Sequence, residues 1–227
     1  DDASVNAAAA SLEEHKPFHA IVNNAGIGLA HKSVTADMIY NVNLLGAKRV
    51  NEAFLSLVNP DGGRLVGTSS GVASVYMKGE GFGKKLGGIT LSDREPLKKS
   101  DVTWEQIQHT LDLEKSSNFG DIPANAESHH TAAMSAYGFS KAALTAYYMI
   151  LARENPNLIV STLSPGFIAT TLTVGFGAQL SPEEGTVSLR KCILQDLGGC
   201  KGWYYGSDGL RSPLDTPRNP GEPEYQG

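Results

Sequence analysis

A chain of 227 residues, 41% hydrophobic and 19% charged, has the balance of one soluble globular domain and is long enough to bury one large core. A net charge of −5, with no run of Lys and Arg interleaved with aromatics, gives no support for nucleic acid or an anionic membrane as partner, and no apolar stretch approaches the roughly 20 residues of a membrane span. Cys192 and Cys200 make neither a disulfide framework nor a zinc site, which fits a reducing compartment and a cytoplasmic location.

The first helix is expected over Ala3 to His15, where Ala7 to Ala10 raise helix propensity. The apolar run Ala20-Ile21-Val22 reads as a strand closed by Asn23-Asn24-Ala25-Gly26-Ile27-Gly28, whose glycines permit a sharp turn and close approach to a ligand. From Ser33 to Val58 apolar residues recur at helical spacing, with Asn43 as a polar misfit inside the helix. Arg64 to Gly67 is a second strand, ending in Thr68-Ser69-Ser70-Gly71. The stretch 71–132 reads as an insertion holding one helix over Asp101 to Glu114, with Thr103 and Gln106 in capping-box spacing. Ala136 to Glu154 is a further helix and Leu158 to Leu163 a strand. Ser164-Pro165-Gly166 is a turn, Ser181-Pro182-Glu183-Glu184 starts a helix to about Gln195, and Trp203-Tyr204-Tyr205 is a last short strand. Strands and helices alternating in this way predict an α/β fold, a doubly wound, Rossmann-like parallel sheet covered on both faces, over 1–211. The tail 212–227 is Pro-rich and expected to be extended on the surface or partly disordered.

Tyr137 and Lys141 lie four residues apart at a helix start, so both project from one face. A cation near a phenol stabilises phenolate and brings a group of pKa near 10 closer to neutrality, where it can serve as general acid and base. The spacing is weak by itself, since an ordinary surface pair has the same pattern. Its context adds weight. Ser69-Ser70 at a strand end could donate to a carbonyl oxygen, in the place where open α/β sheets bind ligands, or could simply cap a helix. Asn43 could hold a water, bend its helix or be an exposed misfit.

Asn23-Asn24-Ala25-Gly26, Asn43 within Asn41-Val42-Asn43-Leu44-Leu45-Gly46, Ser70, Tyr137-x-x-x-Lys141 and Pro165-Gly166 together resemble the short-chain dehydrogenase/reductase family. The long stretch between Ser70 and Tyr137, the Ser181 to Gly185 segment and Leu163 to Phe167 point to its carbonyl-reductase-like branch, which implies a monomer. The resemblance implies that Tyr137 donates a proton to a substrate carbonyl while Ser70 steadies its oxygen. Lys141 would bind the nicotinamide ribose and lower the Tyr137 pKa, and Asn43 would hold a water leading to solvent. It also implies that Asn24, Ala25 and Gly26 lie beside the adenosine-side ribose, and that Pro165, Gly166, Ile168 and Thr170 close on the nicotinamide. Phe167 and the 171–180 segment would shape the pocket for a small-molecule carbonyl substrate. NADP(H) is favoured over NAD(H) as the cofactor.

One part of the family pattern is absent: no glycine-rich phosphate loop follows a strand near the N-terminus. The expectation is therefore that the chain starts two or three strands into the fold, with Ala20 to Asn23 a central strand whose neighbour belongs to an upstream segment of about 60 to 80 residues. Two other readings stand beside the reductase: a non-catalytic, truncated relative acting as a binding protein, and a hydrolase with Ser70 as nucleophile and His129 or His130 as base. The second lacks a Gly-x-Ser-x-Gly elbow around Ser70.

Overall fold

The computed structural model describes residues 1–28, 33–81, 84–85, 88–117, 126–199 and 201–227. Cys200 and parts of the 71–132 stretch lie outside them. α1 (Asp2–Ser11) is capped by the Asp1 carboxylate, which accepts from Ser4 N at 2.9 Å; the turn Glu13–His15 that follows is 3-10, not a continuation of the helix. β1 (Ala20–Asn23) comes next. The helix expected over Ser33 to Val58 is several pieces: α2 (Ala36–Tyr40), a π-helical turn (Asn41–Gly46), α3 (Ala47–Phe54) and a closing 3-10 turn. Asn43 sits within the π turn, a widened ladder of the kind that often marks functional sites.

β2 (Arg64–Thr68) is buried along its whole length and runs into α4 (Gly71–Lys78), a helix that the reading of 71–132 as an insertion did not anticipate. The two-residue strands β3 (Glu80–Gly81) and β4 (Lys84–Lys85) pair antiparallel. α5 (Leu91–Arg94) and α6 (Trp104–Ser116) follow, and the expected capping box at Thr103 is formed, with Gln106 N donating to Thr103 Oγ1 at 3.3 Å and Thr103 N to Gln106 Oε1 at 2.9 Å. α7 (Ala126–Glu154) begins well before the expected Ala136. β5 (Ile159–Leu163), α8 (Val187–Leu194) and β6 (Lys201–Tyr205) complete the order. At Ser181 the capping bonds form as expected, yet regular helix starts only at Val187. Gly185, a poor helix former packed against Ile168, lies in a 3-10 turn before it.

The main sheet has the order β1-β2-β5-β6 and is parallel throughout. Successive strand residues face opposite sides: Leu65 packs with Ala142, Ala146 and Val160, whereas Val66 packs with Leu163 and Cys192 of α8. α7 and α8 therefore cover opposite faces, the doubly wound arrangement. β1 stands at one end of the sheet formed by the described residues. The 91–116 helices are pinned to α4 through buried polar groups. The Tyr76 hydroxyl donates to Glu114, and Arg94, stacked 4.2 Å from the centre of the Tyr76 ring, donates to the carbonyls of Tyr76 and, at 3.0 Å, Ile89.

The tail beyond Ser212 has no helix or strand but is tied down. Arg218 pairs with Asp208 and donates from Nε to Ser212 Oγ at 2.9 Å, while the Arg211 guanidinium lies 4.1 Å from the Trp203 ring centre and 5.3 Å from that of Tyr225. Among the described residues no helix is long and apolar enough to cross a membrane.

Candidate active site

The carboxyl ends of β1, β2 and β5 bring Asn24 to Gly28, Thr68 to Gly71 and Ser164 to Gly166 to one edge of the sheet, and α7 delivers Tyr137 and Lys141 to the same place. Ser70 and Tyr137 are half-buried, Lys141 and Asn43 are buried, and Asn24, Ala25 and Gly26 are exposed. Ser70 caps α4, accepting from Val72 N at 3.3 Å, and its hydroxyl is also placed to hold the Tyr137 phenol down. The cap and the chemical candidate are thus the same group. Ser69, named beside it, turns the other way: its hydroxyl donates to the Lys141 carbonyl at 3.0 Å and accepts from Thr145 Oγ1 at 2.9 Å. Alternation at a strand end sends one serine to the core and the next to the cleft.

Burial raises the Tyr137 phenol above its ordinary range, and the bond to Ser70 acts in the opposite direction. The Lys141 ammonium lies 5.7 Å from the centre of the Tyr137 ring and donates to the Thr68 carbonyl at 2.7 Å. Burial lowers Lys141 to about 8, so it sits close to the balance between ammonium and amine. Asn43 answers the question its position raised. Its Oδ1 accepts from Ile27 N at 2.9 Å, and its Nδ2 donates to Ile27 O at 3.0 Å and to Ser140 Oγ at 3.1 Å. It is a two-way clamp on the loop after β1. Ser140 in turn donates to the Tyr137 carbonyl at 2.8 Å, which joins this clamp to the helix turn that carries the phenol.

The remaining candidates are spread along one rim. Asn24 Oδ1 accepts from Thr68 Oγ1 at 3.1 Å, linking β1 to β2. Gly166 adopts a φ of 88°, which only glycine takes up readily, directly after Pro165. Ile168 pairs in a bridge with Leu180, and Thr170 N donates to Thr173 Oγ1 at 3.0 Å, so the 168–180 segment closes on itself as a loop. Phe167 is half-exposed on it. Within the 171–180 segment, the Leu172 side chain reaches back to Gly28, the glycine that also faces the Tyr137 ring. The side chains of His129 and His130 lie outside the described residues.

No protein-family model matches the chain. A curated protein, short-chain dehydrogenase/reductase 1 from Saponaria officinalis, is 32% identical over 200 residues, 87% of this chain. The chain belongs to the short-chain dehydrogenase/reductase family. It spans 61% of the length of that curated relative. Among solved structures, salutaridine reductase from Papaver somniferum superposes with a TM-score of 0.70 at 23% identity, covering 90% of this chain and 78% of that one. Menthone neomenthol reductase from Mentha piperita gives 0.65 at 21% identity, covering 92% and 77%. An NADPH-bound carbonyl reductase from chicken fatty liver gives 0.59 at 19%, covering 94% and 73%. At these identities the likeness is one of fold, the Rossmann-like arrangement described above.

Proposed function

We propose that the protein is an NADP(H)-dependent oxidoreductase of the carbonyl-reductase-like type, reducing a ketone, aldehyde or quinone, or running the reverse alcohol oxidation, with Tyr137 as general acid and base. The observation that carries this reading is the convergence at one edge of the sheet of Ser70, Tyr137 and a buried Lys141, whose ammonium lies 5.7 Å from the centre of the Tyr137 ring. The same atoms suit a nicotinamide nucleotide. Lys141 Nζ, buried, gives one of its three protons to Thr68 O, and a side chain at Gly26 would stand 3.3 Å from both Asn43 Oδ1 and Lys141 Nζ. An ammonium with donors to spare beside a backbone without a Cβ suits a ribose diol. Asn24, Ala25 and Gly26 would line the neighbouring ribose, and Pro165, Gly166, Ile168 and Thr170 the nicotinamide. The NADPH held by the chicken carbonyl reductase supports NADP(H) over NAD(H).

When bound, the reduced nicotinamide supplies the hydride. Tyr137 holds the proton that the carbonyl oxygen needs, and Ser70 orients that oxygen against the phenol. Lys141, poised near pH 8, steadies the phenolate left behind. Asn43 keeps the loop at Ile27 and the Tyr137 turn in fixed relation, a positioning role beside the water that the family resemblance would have it hold. Leu172 and Phe167 give the pocket mouth an apolar lining. The reading includes a monomer, as the resemblance to the carbonyl-reductase-like branch implies; α6 lies on α7 through Trp104 and Tyr147, their rings 5.6 Å apart, and covers that face of α7.

The test is NADPH oxidation with a panel of carbonyl compounds. Tyr137→Phe is expected to lower turnover at least ~1,000-fold with NADPH binding nearly intact. Full activity in that variant refutes the assignment of the acid.

A further inference from the structure

Ser164, the residue after β5, has a role that the cofactor-facing turn Pro165-Gly166 does not explain. Its hydroxyl oxygen accepts from Gly71 N at 3.1 Å and from Gly166 N at 3.3 Å. The second bond is a local serine turn that any loop could contain; the first joins residues 93 positions apart, and Gly71 is the neighbour of Ser70. A hydroxyl has two lone pairs and one proton. With both lone pairs given to amides, the Ser164 proton is left for the Tyr204 hydroxyl, its remaining partner. On the far side of Tyr204, Ser74 donates to the Pro213 carbonyl at 3.1 Å. Ser164, Tyr204 and Ser74 are all buried, away from water that would compete for the Ser164 hydroxyl. The long-range bond from Gly71 N holds Ser164 on the backbone beside Ser70.

We propose that Ser164 is a positioning residue: its hydroxyl, oriented by Tyr204, locks the Ser70–Gly71 junction to the Pro165–Gly166 turn, so that Ser70 and Tyr137 address the same substrate oxygen. This rests on the reductase reading above. Without the lock, α4 keeps its helix but its first residue is free to rotate, and Ser70 no longer meets the phenol. The loss is one of geometry at the reacting centre, where a displacement of about 1 Å can lower turnover about 100-fold.

The experiment is steady-state NADPH oxidation with 9,10-phenanthrenequinone across pH for the parent protein and Ser164→Ala, Ser164→Thr, Tyr204→Phe, Ser70→Ala and the Ser164→Ala/Ser70→Ala double variant. Ser164→Ala is expected to lower kcat about 10- to 100-fold with a much smaller change in KM for the quinone. Ser70 holds the Tyr137 phenol down, and Tyr137 must be protonated to donate. Losing Ser70, or misplacing it, therefore moves the alkaline limb of the pH profile upward. Ser164→Ala and Ser70→Ala should shift that limb in the same direction, the double variant should be no worse than Ser70→Ala alone, and Ser164→Thr should recover most of the rate. Tyr204→Phe, which keeps the packing, should show the same upward shift with a loss of about 3- to 10-fold, and it carries the test if Ser164→Ala does not fold. A lower rate with an unmoved pH profile, or additive losses in the double variant, overturns the role of Ser164 alone. A parent protein that oxidises NADPH with no member of a panel of ketones, aldehydes and quinones overturns the reductase reading, and this proposal with it.

Discussion

Replacing Lys141 with Met removes a charge that the fold holds at a measurable expense. The ammonium is 3% exposed, and burial brings its pKa from 10.5 to about 8. The folded value lies below the unfolded one, so between about pH 8 and 10.5 the unfolded chain binds the additional proton and stability rises with pH. Below pH 8 the full penalty is present, a shift of about 2.5 units or about 3 kcal/mol, and it fades as pH climbs toward 10.5. Methionine has a similar reach and no charge, so Lys141→Met lacks this dependence and is expected to equal or exceed the parent's stability at pH 7, despite losing the bond to Thr68 O. Integrating the two titrations, the parent should gain about 2 kcal/mol relative to the variant between pH 7 and pH 9.5. The assay is urea unfolding of both proteins at each pH. With a denaturant slope of roughly 2 kcal/mol/M, the difference between the two midpoints should change by about 1 M. Midpoints that move in parallel between the two pH values would mean that Lys141 is not a desolvated cation, and would remove the basis for placing it near the balance point at neutral pH.

Asn43→Leu removes a buried side chain that makes three hydrogen bonds and leaves Ile27 N and O without their partner, which should lower stability by about 2 to 4 kcal/mol and speed amide exchange at Ile27. Unaltered exchange there would show that the loop after β1 does not depend on the clamp. Gly138→Ala places a Cβ 2.7 Å from Tyr76 Cβ, at the contact of α7 with α4. Backbone on one side and a Cβ on the other cannot yield without moving the helices, so thermal unfolding should report a loss of about 1 to 3 kcal/mol, and turnover should fall because Ser70 rides on α4. A variant as stable and as active as the parent would refute the tight packing of these helices.

The architecture was legible where one element carries its own signal. The apolar runs at Ala20 to Val22 and Arg64 to Gly67, the helical period of Ala136 to Glu154 and the Thr103 to Gln106 capping pair all correspond to elements that formed. What escaped were elements whose identity depends on distant packing. α4 follows Ser70 within a stretch rich in glycine and lysine, and it is held by Glu114 and Arg94 from further along the chain, a partnership that no local window contains. The break of the 33–58 helix into α and π segments is likewise invisible to a periodicity argument. The π turn carries Asn43, whose partners Ile27 and Ser140 lie across the fold, and the apolar stripe is nearly the same either way.

The site divides along the same line. Tyr137 and Lys141 were readable because both lie on one helix turn, and Ser70 because a hydroxyl cluster ended a strand. Asn43 was noticed only as a misfit, and its purpose became clear when Ile27 and Ser140, 16 and 97 residues away, were found on either side of its amide. Ser164 gave no chemical signal at all, since a serine before Pro-Gly is ordinary turn chemistry. Its bond to Gly71 arises only because two parallel strands, β2 and β5, end side by side and deliver their last residues to the same edge of the sheet. In a parallel sheet each strand end is supplied by a separate βαβ unit, so the groups that meet there are always far apart in sequence. The part of this site that aligns Ser70 with Tyr137 is therefore distributed over β2, β5 and β6, and a change at Tyr204 should be felt at a phenol on another element.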